Sequence, residues 1–269
     1  MALNPDALPT NATPLAVREN TLLGGRVRLC QPARGYRAAI DPVLLAAGVP
    51  AHAGERVLDL GCGVGAAIFC LATRVPGLDL HGLDLDEGAL ALAQDNARLN
   101  GVSVTLHEGS VARPPAALRQ LAFDQVMMNP PYYRATATAS PEPGRDRARR
   151  EGRAPGEGAL ADWFATALAR LRPGGWLTLI HRAERLPELL RMLDGPAGAV
   201  SVLPVTARGG RAAGRVVLRA RKGARAPFRL LAPLVMHEGE RHPGDREHYT
   251  PAARAILREA AALDFGDAK

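Results

Sequence analysis

Between residues 56 and 180, apolar runs of strand length alternate with longer segments that favour helices. Four such runs are 57–60, 78–83, 102–107 and 123–128, and each ends near a polar residue. Helices are indicated at 66–75 and 87–100, with Asp86 as the N-cap of the second and Gly101 as its stop. This alternation predicts an α/β fold whose sheet is mostly parallel and carries helices on both faces.

The flanking segments predict further elements. Gly24-Gly25 separates two short apolar pieces between Thr21 and Gln31, which indicates a hairpin. Asp41 followed by Pro42 predicts an N-cap and a helix from Pro42 to about Gly48, and the alternative that this segment lines a cofactor pocket stays open. Downstream we expect helices at 159–171, 183–193 and 251–263, a turn at 172–175, and strands at 176–180, 200–205 and 215–220, the last two paired.

The composition favours a folded chain in a reducing cytoplasm. With 269 residues and 47% hydrophobic side chains, the chain has the length of one large domain or of one domain with appendages. The cysteines (Cys30, Cys62, Cys70) lack Cys-x-x-Cys spacing and the histidines are scattered, so neither a disulfide framework nor a metal site is indicated. No apolar stretch has the length of a signal peptide or a membrane span, so we expect a soluble protein.

The net charge of +7 and the sequence pI of about 10.0 favour a polyanionic partner such as nucleic acid. All basic residues except Lys222 and Lys269 are arginines, whose planar guanidinium group binds phosphates and stacks on bases. The alternative is that a GC-rich genome biases the composition towards arginine, alanine, glycine and proline.

A glycine turn follows the first strand of the alternating region. Gly61-Cys62-Gly63-Val64-Gly65 leads into a helix, as at the start of a nucleotide-binding α/β unit, and Gly61-x-Gly63-x-x-Ala66 also satisfies the dinucleotide fingerprint. Asp59 discriminates between ligands, because its carboxylate would repel a pyrophosphate but attract an ammonium or sulfonium cation. S-adenosylmethionine carries both cations and no phosphate. The alternative that Asp59 hydrogen-bonds the amides of the turn is compatible with either ligand.

We place the chemistry at Asn129-Pro130-Pro131-Tyr132, which follows the apolar run 123–128. Asn129 would emerge at the carboxyl end of a buried strand, where open α/β sheets bind ligands. The Asn129 side-chain oxygen and the Pro130 carbonyl are two acceptors for the hydrogens of an exocyclic NH2 group, beside the aromatic face of Tyr132. Such a site suits an amine that must attack an electrophile. The alternative is a turn that merely ends the strand.

Two motifs carry a family resemblance. The segment Val57-Leu58-Asp59-Leu60-Gly61-Cys62-Gly63-Val64-Gly65 resembles the first motif of class I S-adenosylmethionine-dependent methyltransferases, and Asn129-Pro130-Pro131-Tyr132 resembles the catalytic tetrapeptide of their amino-methylating subgroup. Outside these motifs, the chain looks most like bacterial valine-tRNA adenine-37 N6-methyltransferases at Asp41-Pro42-Val43-Leu44-Leu45, Tyr132-Tyr133, Arg221-Lys222-Gly223-Ala224 and Tyr249-Thr250-Pro251. The resemblance covers roughly residues 20 to 260.

The resemblance implies a Rossmann-like, seven-stranded, mostly parallel sheet and S-adenosylmethionine as the cofactor. It implies that Asp59 and the glycines of the turn border the methionine moiety, that Asp84 binds the ribose hydroxyls, and that Ser110 takes the place of an acid that often holds the adenine. The expected cofactor-binding residues are Asp59, Gly61, Cys62, Gly63, Gly65, Asp84, Leu85, Ser110, Val111 and Asn129. The expected catalytic residues are Asn129, Pro130, Pro131 and Tyr132. Cys62 is expected to pack rather than react, because no basic partner for a thiolate stands beside it.

We expect the chain to divide into a disordered tail (1–19), an N-terminal hairpin and helix packed on the core (20–50), a methyltransferase domain (51–225) and a C-terminal extension (226–269). A basic loop at 134–158 directly follows the tetrapeptide and could grip RNA phosphates, the alternative being a solvated charged loop. The residues expected to contact the substrate are Tyr36, Tyr133, Arg145, Arg147, Arg149 and Arg150.

The expected activity is methyl transfer to an exocyclic amine, first of all adenine N6 in tRNA, by a monomer or homodimer without a metal. Cytosine N4 and ribosomal RNA stay open as targets. The rivals are glutamine methylation on a protein, as in release factor methyltransferases, a non-catalytic RNA-binding protein that retains the fold, and an NAD-dependent oxidoreductase. The arginine excess disfavours the first, the intact glycine turn disfavours the second, and Asp59 disfavours the third.

Overall fold

The computed structural model describes residues 16–33, 39–132, 159–240 and 248–266. The chain begins with the predicted hairpin: β1 (Val17–Leu22) pairs antiparallel with β2 (Val27–Pro32) across a 3-10 turn at Leu23–Gly25. Since β1 starts at Val17, the expectation of a disordered tail over 1–19 was wrong for residues 17–19, which pair with residues of β2. Residues 1–15 lie outside the described part of the chain.

The central sheet contains the seven expected strands, namely β3 (Arg56–Leu60), β4 (Asp79–Asp84), β5 (Thr105–Glu108), β6 (Phe123–Met128), β7 (Leu171–Arg182), β8 (Ala197–Thr206) and β9 (Arg215–Lys222). Their order across the sheet is β8-β9-β7-β6-β3-β4-β5. β9 is antiparallel to both of its neighbours, and the other pairs are parallel. This arrangement confirms the mostly parallel α/β sheet and the predicted pairing of the last two long strands.

The expected strand number was too low, because the sheet in the described residues has nine strands. The two additional strands, β10 (Arg229–Leu230) and β11 (Leu234–Val235), are two residues long and lie parallel to β8. Both belong to the segment expected to be a C-terminal extension. That segment runs back along the outer edge of β8 and satisfies backbone groups there that would otherwise lack partners, for example through Leu231 N to Val202 O at 2.9 Å.

Helices α1 to α7 are Ile40–Gly48, Ala66–Arg74, Glu87–Asn100, Ala116–Arg119, Leu160–Arg170, Leu186–Leu193 and Pro251–Glu259. The predicted cap of α3 is confirmed: the Asp86 side chain accepts from the Ala89 amide at 3.1 Å, and Gly101 adopts φ 63° at the other end. The predicted cap of α1 was wrong, because Ala39 occupies the N-cap position and Asp41 lies inside the first turn. Instead of the predicted turn, residues 172–175 form an irregularity within β7: Leu171 pairs with Phe123, the next pair is Trp176 with Gln125, and Gly174 has φ 75°.

Two hydrophobic cores cover the two faces of the sheet. Along β6, Met127 points into the core formed with α1, α2 and the hairpin, whereas Val126 and Met128 point into the core formed with α5 and α6. This alternation is the period of two expected of a strand that is buried on both faces. No helix of the described residues is long and apolar enough to cross a membrane.

The C-terminal helix is held by one hydroxyl that makes two hydrogen bonds. Thr250 Oγ1 accepts from the Ala253 amide at 3.2 Å, as a helix N-cap, and donates to the Val235 carbonyl of β11 at 2.7 Å. We expect Thr250→Ala to lower the free energy of unfolding by about 1–2 kcal/mol, because both bonds are lost. Urea denaturation followed by circular dichroism measures this difference. Thr250→Ser keeps the hydroxyl and should retain most of the stability, so an equal loss in both variants would contradict the assignment.

Candidate active site

The register of the sheet brings the two sequence motifs side by side. β3 and β6 are parallel neighbours, with Asp59 opposite Met127 and Leu60 opposite Met128. Gly61 and Asn129 come next on the two strands, so the motifs leave the sheet about one strand spacing apart, roughly 4.8 Å. β4 and β5 continue the sheet on one side of β3 and β6 lies on the other, which makes this edge a topological switch point. Open α/β sheets bind ligands at such points.

The glycine turn is fixed by bonds to β4 rather than to Asp59. Its glycines at positions 61, 63 and 65 have φ values of 69°, 52° and 86°, which favour residues without a Cβ. The amides of Gly61 and Cys62 donate to the Leu83 carbonyl at 2.7 and 3.0 Å, and the Gly63 amide donates to the Asp84 carboxylate at 2.7 Å. Because these amides are already bonded, the alternative that Asp59 serves the amides of the turn was wrong.

The three glycines differ in what surrounds them. A Cβ on Gly61 would lie 2.3 Å from the Trp163 ring of α5, and a Cβ on Gly65 would lie 2.4 Å from the Phe69 ring of α2. These two positions need glycine because a ring packs directly on the backbone. A Cβ on Gly63 would meet nothing within 4 Å. The space beside Gly63 is therefore open to a ligand.

Asp59 is a buried carboxylate, only 3% exposed. Burial raises the pKa of Asp59 well above its ordinary value, and the negative charge of Asp84 raises it further. Among the residues that the structure describes, no arginine, lysine or histidine forms an ion pair with it. A cationic ligand at this position would stabilise the ionised carboxylate, which is what the ammonium and sulfonium groups of S-adenosylmethionine offer.

Asp84 has a structural function in addition to the expected one. One carboxylate oxygen accepts from the Gly63 amide and the other accepts from the Asp86 amide at 3.0 Å, so Asp84 joins the turn to the start of α3. Burial is the main cause of the raised pKa of Asp84. An ionised carboxylate has about four acceptor positions, so these two bonds leave room for ribose hydroxyls.

The remaining expected cofactor residues differ in burial and in their bonding partners. The Cys62 thiol is buried, and burial followed by the charges of Asp84 and Asp59 raises its pKa well above the ordinary value, which agrees with packing rather than reactivity. Leu85 follows Asp84 and is 44% exposed, as an apolar surface for a ligand would be. The Ser110 hydroxyl accepts from the Ala112 amide at 3.1 Å, and the Val111 side chain belongs to the core against α5.

The tetrapeptide follows β6 as predicted, with Asn129, Pro131 and Tyr132 half-buried and Pro130 buried. The Tyr132 hydroxyl donates to Asp41 at 2.6 Å. Arg215 Nε lies 3.3 Å from both oxygens of that carboxylate, and the Arg215 guanidinium carbon lies 5.1 Å from the centre of the Tyr132 ring. Asp41 therefore contacts the tetrapeptide instead of capping α1. This favours the alternative that its segment lines the site.

Two residues contact Tyr132 of the tetrapeptide from the carboxyl end of β7 and the 3-10 turn that follows it. The ring of His181 is fully buried and meets the Tyr132 ring edge-on, with 5.2 Å between the centres. Burial and the charge of Arg185 lower the pKa of His181 to about 4, so this histidine is neutral at physiological pH. Its Nδ1 accepts from the Arg182 amide at 2.9 Å. Arg185 Nη1 donates to the Tyr132 carbonyl at 3.3 Å, which fixes the backbone of the tetrapeptide.

Sequence reasoning left open whether the segment of Asp41 lines a pocket, and it missed His181 and Arg215 as parts of the site. The rule that selected Asn129 also applies to His181, which stands near the carboxyl end of the neighbouring parallel strand β7. Arg215 begins an antiparallel strand, so its first residue lies at the same edge. The expected substrate residues Tyr36, Tyr133, Arg145, Arg147, Arg149 and Arg150 lie outside the described residues. Within the described ranges, no group of three side chains has the arrangement of a metal site.

Comparison with known proteins finds matches to methyltransferases. Residues 39–141 match the family model described as "Methyltransferase small domain". A tRNA1(Val) (adenine(37)-N6)-methyltransferase from Aeromonas hydrophila is 30% identical over 191 residues, which are 70% of this chain and 77% of the relative. A release factor glutamine methyltransferase from Geobacter sulfurreducens is 36% identical over 125 residues, which are 45% of this chain and 43% of the relative. The chain thus spans less than half of that enzyme.

The fold is shared with a solved structure over almost its whole length. The crystal structure of a predicted O-methyltransferase from Agrobacterium tumefaciens superposes with a TM-score of 0.65 at 27% identity, and the match covers 83% of this chain and 98% of that one. The glycine turn, the buried Asp59 and the open space beside Gly63 fit the cofactor of such enzymes. The chain belongs to the class I methyltransferases with a methyltransferase small domain, and its cofactor is S-adenosylmethionine.

Proposed function

We propose that this methyltransferase acts on an exocyclic amine of RNA, and that the target is adenine N6 in tRNA. The observation that carries this proposal is the similarity to the A. hydrophila tRNA1(Val) (adenine(37)-N6)-methyltransferase, which extends over 77% of that enzyme. The net charge of +7 supports a polyanionic substrate. With tRNA as the substrate, the reaction takes place in the cytoplasm.

The cofactor is held between the glycine turn and the ends of β4 and β6. Asp59 would attract its cationic groups and Asp84 would accept from its ribose hydroxyls. Leu85, Ser110 and Val111 would border its adenine. When bound, S-adenosylmethionine supplies a methyl group on positively charged sulfur. Gly61 is adjacent to Asn129 in the sheet, so the methionine end of the site lies beside the tetrapeptide.

The tetrapeptide activates the acceptor by hydrogen bonding. The Asn129 side-chain oxygen and the Pro130 carbonyl accept the two hydrogens of the NH2 group, which favours the pyramidal form whose lone pair can attack. Bound S-adenosylmethionine would supply its sulfonium methyl group to this nitrogen, and the Asn129 and Pro130 oxygens would hold the methylated amine while it gives up one proton to water. His181 does not serve as the base, because burial lowers its pKa to about 4 and makes it a weak base, and because its Nδ1 already accepts from a backbone amide.

Base recognition relies on aromatic stacking and on arginine. Tyr132 is half-buried beside Asn129 and would stack on an unpaired adenine, which is worth about 1–3 kcal/mol by analogy with other base–aromatic stacks. A loop adenine needs little energy to leave its neighbours. We assign the phosphate contacts to Arg145, Arg147, Arg149 and Arg150, and further base contacts to Tyr36 and Tyr133.

A second candidate is methylation of a protein glutamine. It is favoured by the 36% identity to the G. sulfurreducens release factor enzyme, a higher identity than that of the tRNA-modifying relative. The glutamine amide is also a planar NH2 group that Asn129 and Pro130 could hold. However, that match covers only 43% of the release factor enzyme, so more than half of that enzyme has no counterpart in the match.

We expect Asp59→Asn to stabilise the protein without cofactor and to weaken cofactor binding. The raised pKa of Asp59 means that the folded state favours the protonated carboxyl. The contribution of Asp59 to the free energy of unfolding is therefore fully present at low pH and is lost as the pH rises through the raised pKa. Asparagine removes this loss, and the Tm measured at neutral pH should rise. The Kd for S-adenosylmethionine should increase about 30-fold or more, because the ligand cation loses its buried partner.

Asp79→Asn is the matched control for the stability effect. Its hydrogen bond to Arg56 lowers the pKa of Asp79, so its stabilisation is present at neutral pH and the same substitution there should lower Tm. Cofactor affinity should be unchanged in this variant. An Asp59→Asn protein that binds S-adenosylmethionine as tightly as wild type would refute the assigned function of Asp59.

The affinity for S-adenosylmethionine should also depend on pH. Binding needs the ionised Asp59, so the affinity should fall as the pH is lowered through the raised pKa of this carboxyl, and binding should release a proton in that range. Isothermal titration calorimetry in buffers of different ionisation enthalpy measures the number of protons released. Asp59→Asn should bind without this release, and an unchanged proton count in that variant would argue against the linkage.

The acceptor is tested by transfer of a tritiated methyl group to bulk tRNA, ribosomal RNA and total protein from a strain that lacks the gene. We expect label in tRNA, recovered as N6-methyladenosine. Asn129→Ala should slow transfer by about 10²–10³-fold, because one acceptor of the activated amine is lost. Label in protein glutamine would support the second candidate instead, and label in neither class would refute both.

A further inference from the structure

Four side chains from four separate elements converge on Tyr132, among them Arg185 of the 3-10 turn Ala183–Arg185 that follows β7. Asp41 of α1 accepts from its hydroxyl at 2.6 Å, and the guanidinium group of Arg215 in β9 lies over its ring at 5.1 Å. His181 of β7 meets the ring edge-on, and Arg185 binds the carbonyl of the same residue. Tyr132 is thus held at its hydroxyl, its ring and its backbone.

The Asp41–Arg215 pair joins α1 to β9, two elements that are far apart in the chain. Asp41 does not cap α1, and Arg215 is 174 positions away in sequence. The carboxylate is 14% exposed and the guanidinium is 33% exposed on their side chains, so the pair lies at the open edge of the sheet rather than in either core. What the two residues share is contact with Tyr132.

The geometry restricts Tyr132 in two ways. The hydrogen bond to Asp41 fixes where the end of the side chain lies, because another χ1 rotamer would break it. The stacked guanidinium group of Arg215 favours one plane of the ring, since cation–π attraction is strongest over the face. Arg215 is itself oriented by its ion pair with Asp41, at 3.3 Å to both oxygens.

We propose that Asp41 and Arg215 are positioning residues that hold the Tyr132 ring in place for the acceptor before the acceptor binds. This inference rests on the proposed function of the tetrapeptide as the site that receives a planar amine. A ring fixed in advance loses little rotamer freedom when the acceptor stacks on it, and it keeps the NH2 group in reach of Asn129.

The inference predicts that Asp41 acts through the Tyr132 hydroxyl, which a double-mutant cycle tests. Asp41→Ala and Tyr132→Phe should each slow single-turnover methyl transfer by about 10–100-fold, because small misplacements of reacting groups have effects of this size. The double variant should be no slower than the slower single variant. The Kd for S-adenosylmethionine, measured on each protein, should stay within about twofold of wild type because the cofactor contacts are kept.

Conservative and control variants separate positioning from folding. Asp41→Asn keeps an oxygen acceptor for the hydroxyl and should recover a large part of the rate, whereas Asp41→Ala should not. Asp95→Ala removes an exposed aspartate–arginine pair in α3 and should leave the rate unchanged. Thermal unfolding of every variant shows whether it is folded. If Asp41→Ala does not fold, the cycle is run with Asp41→Asn and Arg215→Lys against Tyr132→Phe.

A measurement without any acceptor tests the contact itself. The chain has four tyrosines, so the Cζ resonance of Tyr132 in protein labelled at tyrosine Cζ is assigned as the one missing in Tyr132→Phe. It should shift in Asp41→Ala and not in Asp95→Ala. An unshifted resonance, a wild-type rate in Asp41→Ala, or rate effects that multiply in the double variant would each overturn the inference.

The outcomes also distinguish this inference from the proposed function. If tRNA is labelled but the effects multiply, only the positioning function of Asp41 and Arg215 fails. If label enters protein instead, the tRNA proposal fails, and the same cycle measured on that acceptor still tests the positioning of Tyr132.

Discussion

The site depends on the parallel pairing of β3 with β6. Because parallel strands end at the same edge of a sheet, the residues after Leu60 and Met128 emerge next to each other. The glycine turn and the tetrapeptide are 68 positions apart in the chain, yet the register leaves roughly one strand spacing between them. A shift of one residue in this pairing would turn the apolar side chains of β6 towards the wrong cores. The two hydrophobic cores therefore also determine the geometry of the site.

This geometry brings two buried carboxylates together without a cation. Burial, followed by the charge of Asp84, raises the pKa of Asp59, and burial also raises the pKa of Asp84. The amides of Gly63 and Asp86 stabilise Asp84, so Asp59 carries most of the unfavourable interaction. In the proposed function, a cationic cofactor stabilises the ionised form of Asp59, and this gives the site selectivity for a ligand with a positive charge and no phosphate.

The sequence predicted the elements that obey local rules and missed contacts made across the fold. The strand 123–128, the cap at Asp86 and the turn at Gly61 follow from periodicity, side-chain capping and backbone conformation, which involve neighbouring residues only. Asp41 before Pro42 satisfied the local rule for an N-cap, but its partners Tyr132 and Arg215 come from distant strands. The two short strands beside β8 were missed because two residues carry no periodic pattern.

The arginine content shows that net charge alone does not identify the residues that contact a nucleic acid. The net charge predicted nucleic acid, but several arginines serve the fold: Arg74 and Arg219 donate to carbonyls at the end of α1, and Arg229 donates to the carbonyls of Phe265 and Gly266. Such a guanidinium group adds to the net charge of the protein, yet it is held on backbone carbonyls of the fold. Net charge therefore favours a polyanionic partner. The number of phosphates bound depends only on those arginines that are not bonded to backbone carbonyls of the protein. The salt dependence of RNA binding measures that count, because each neutralised phosphate adds to its slope.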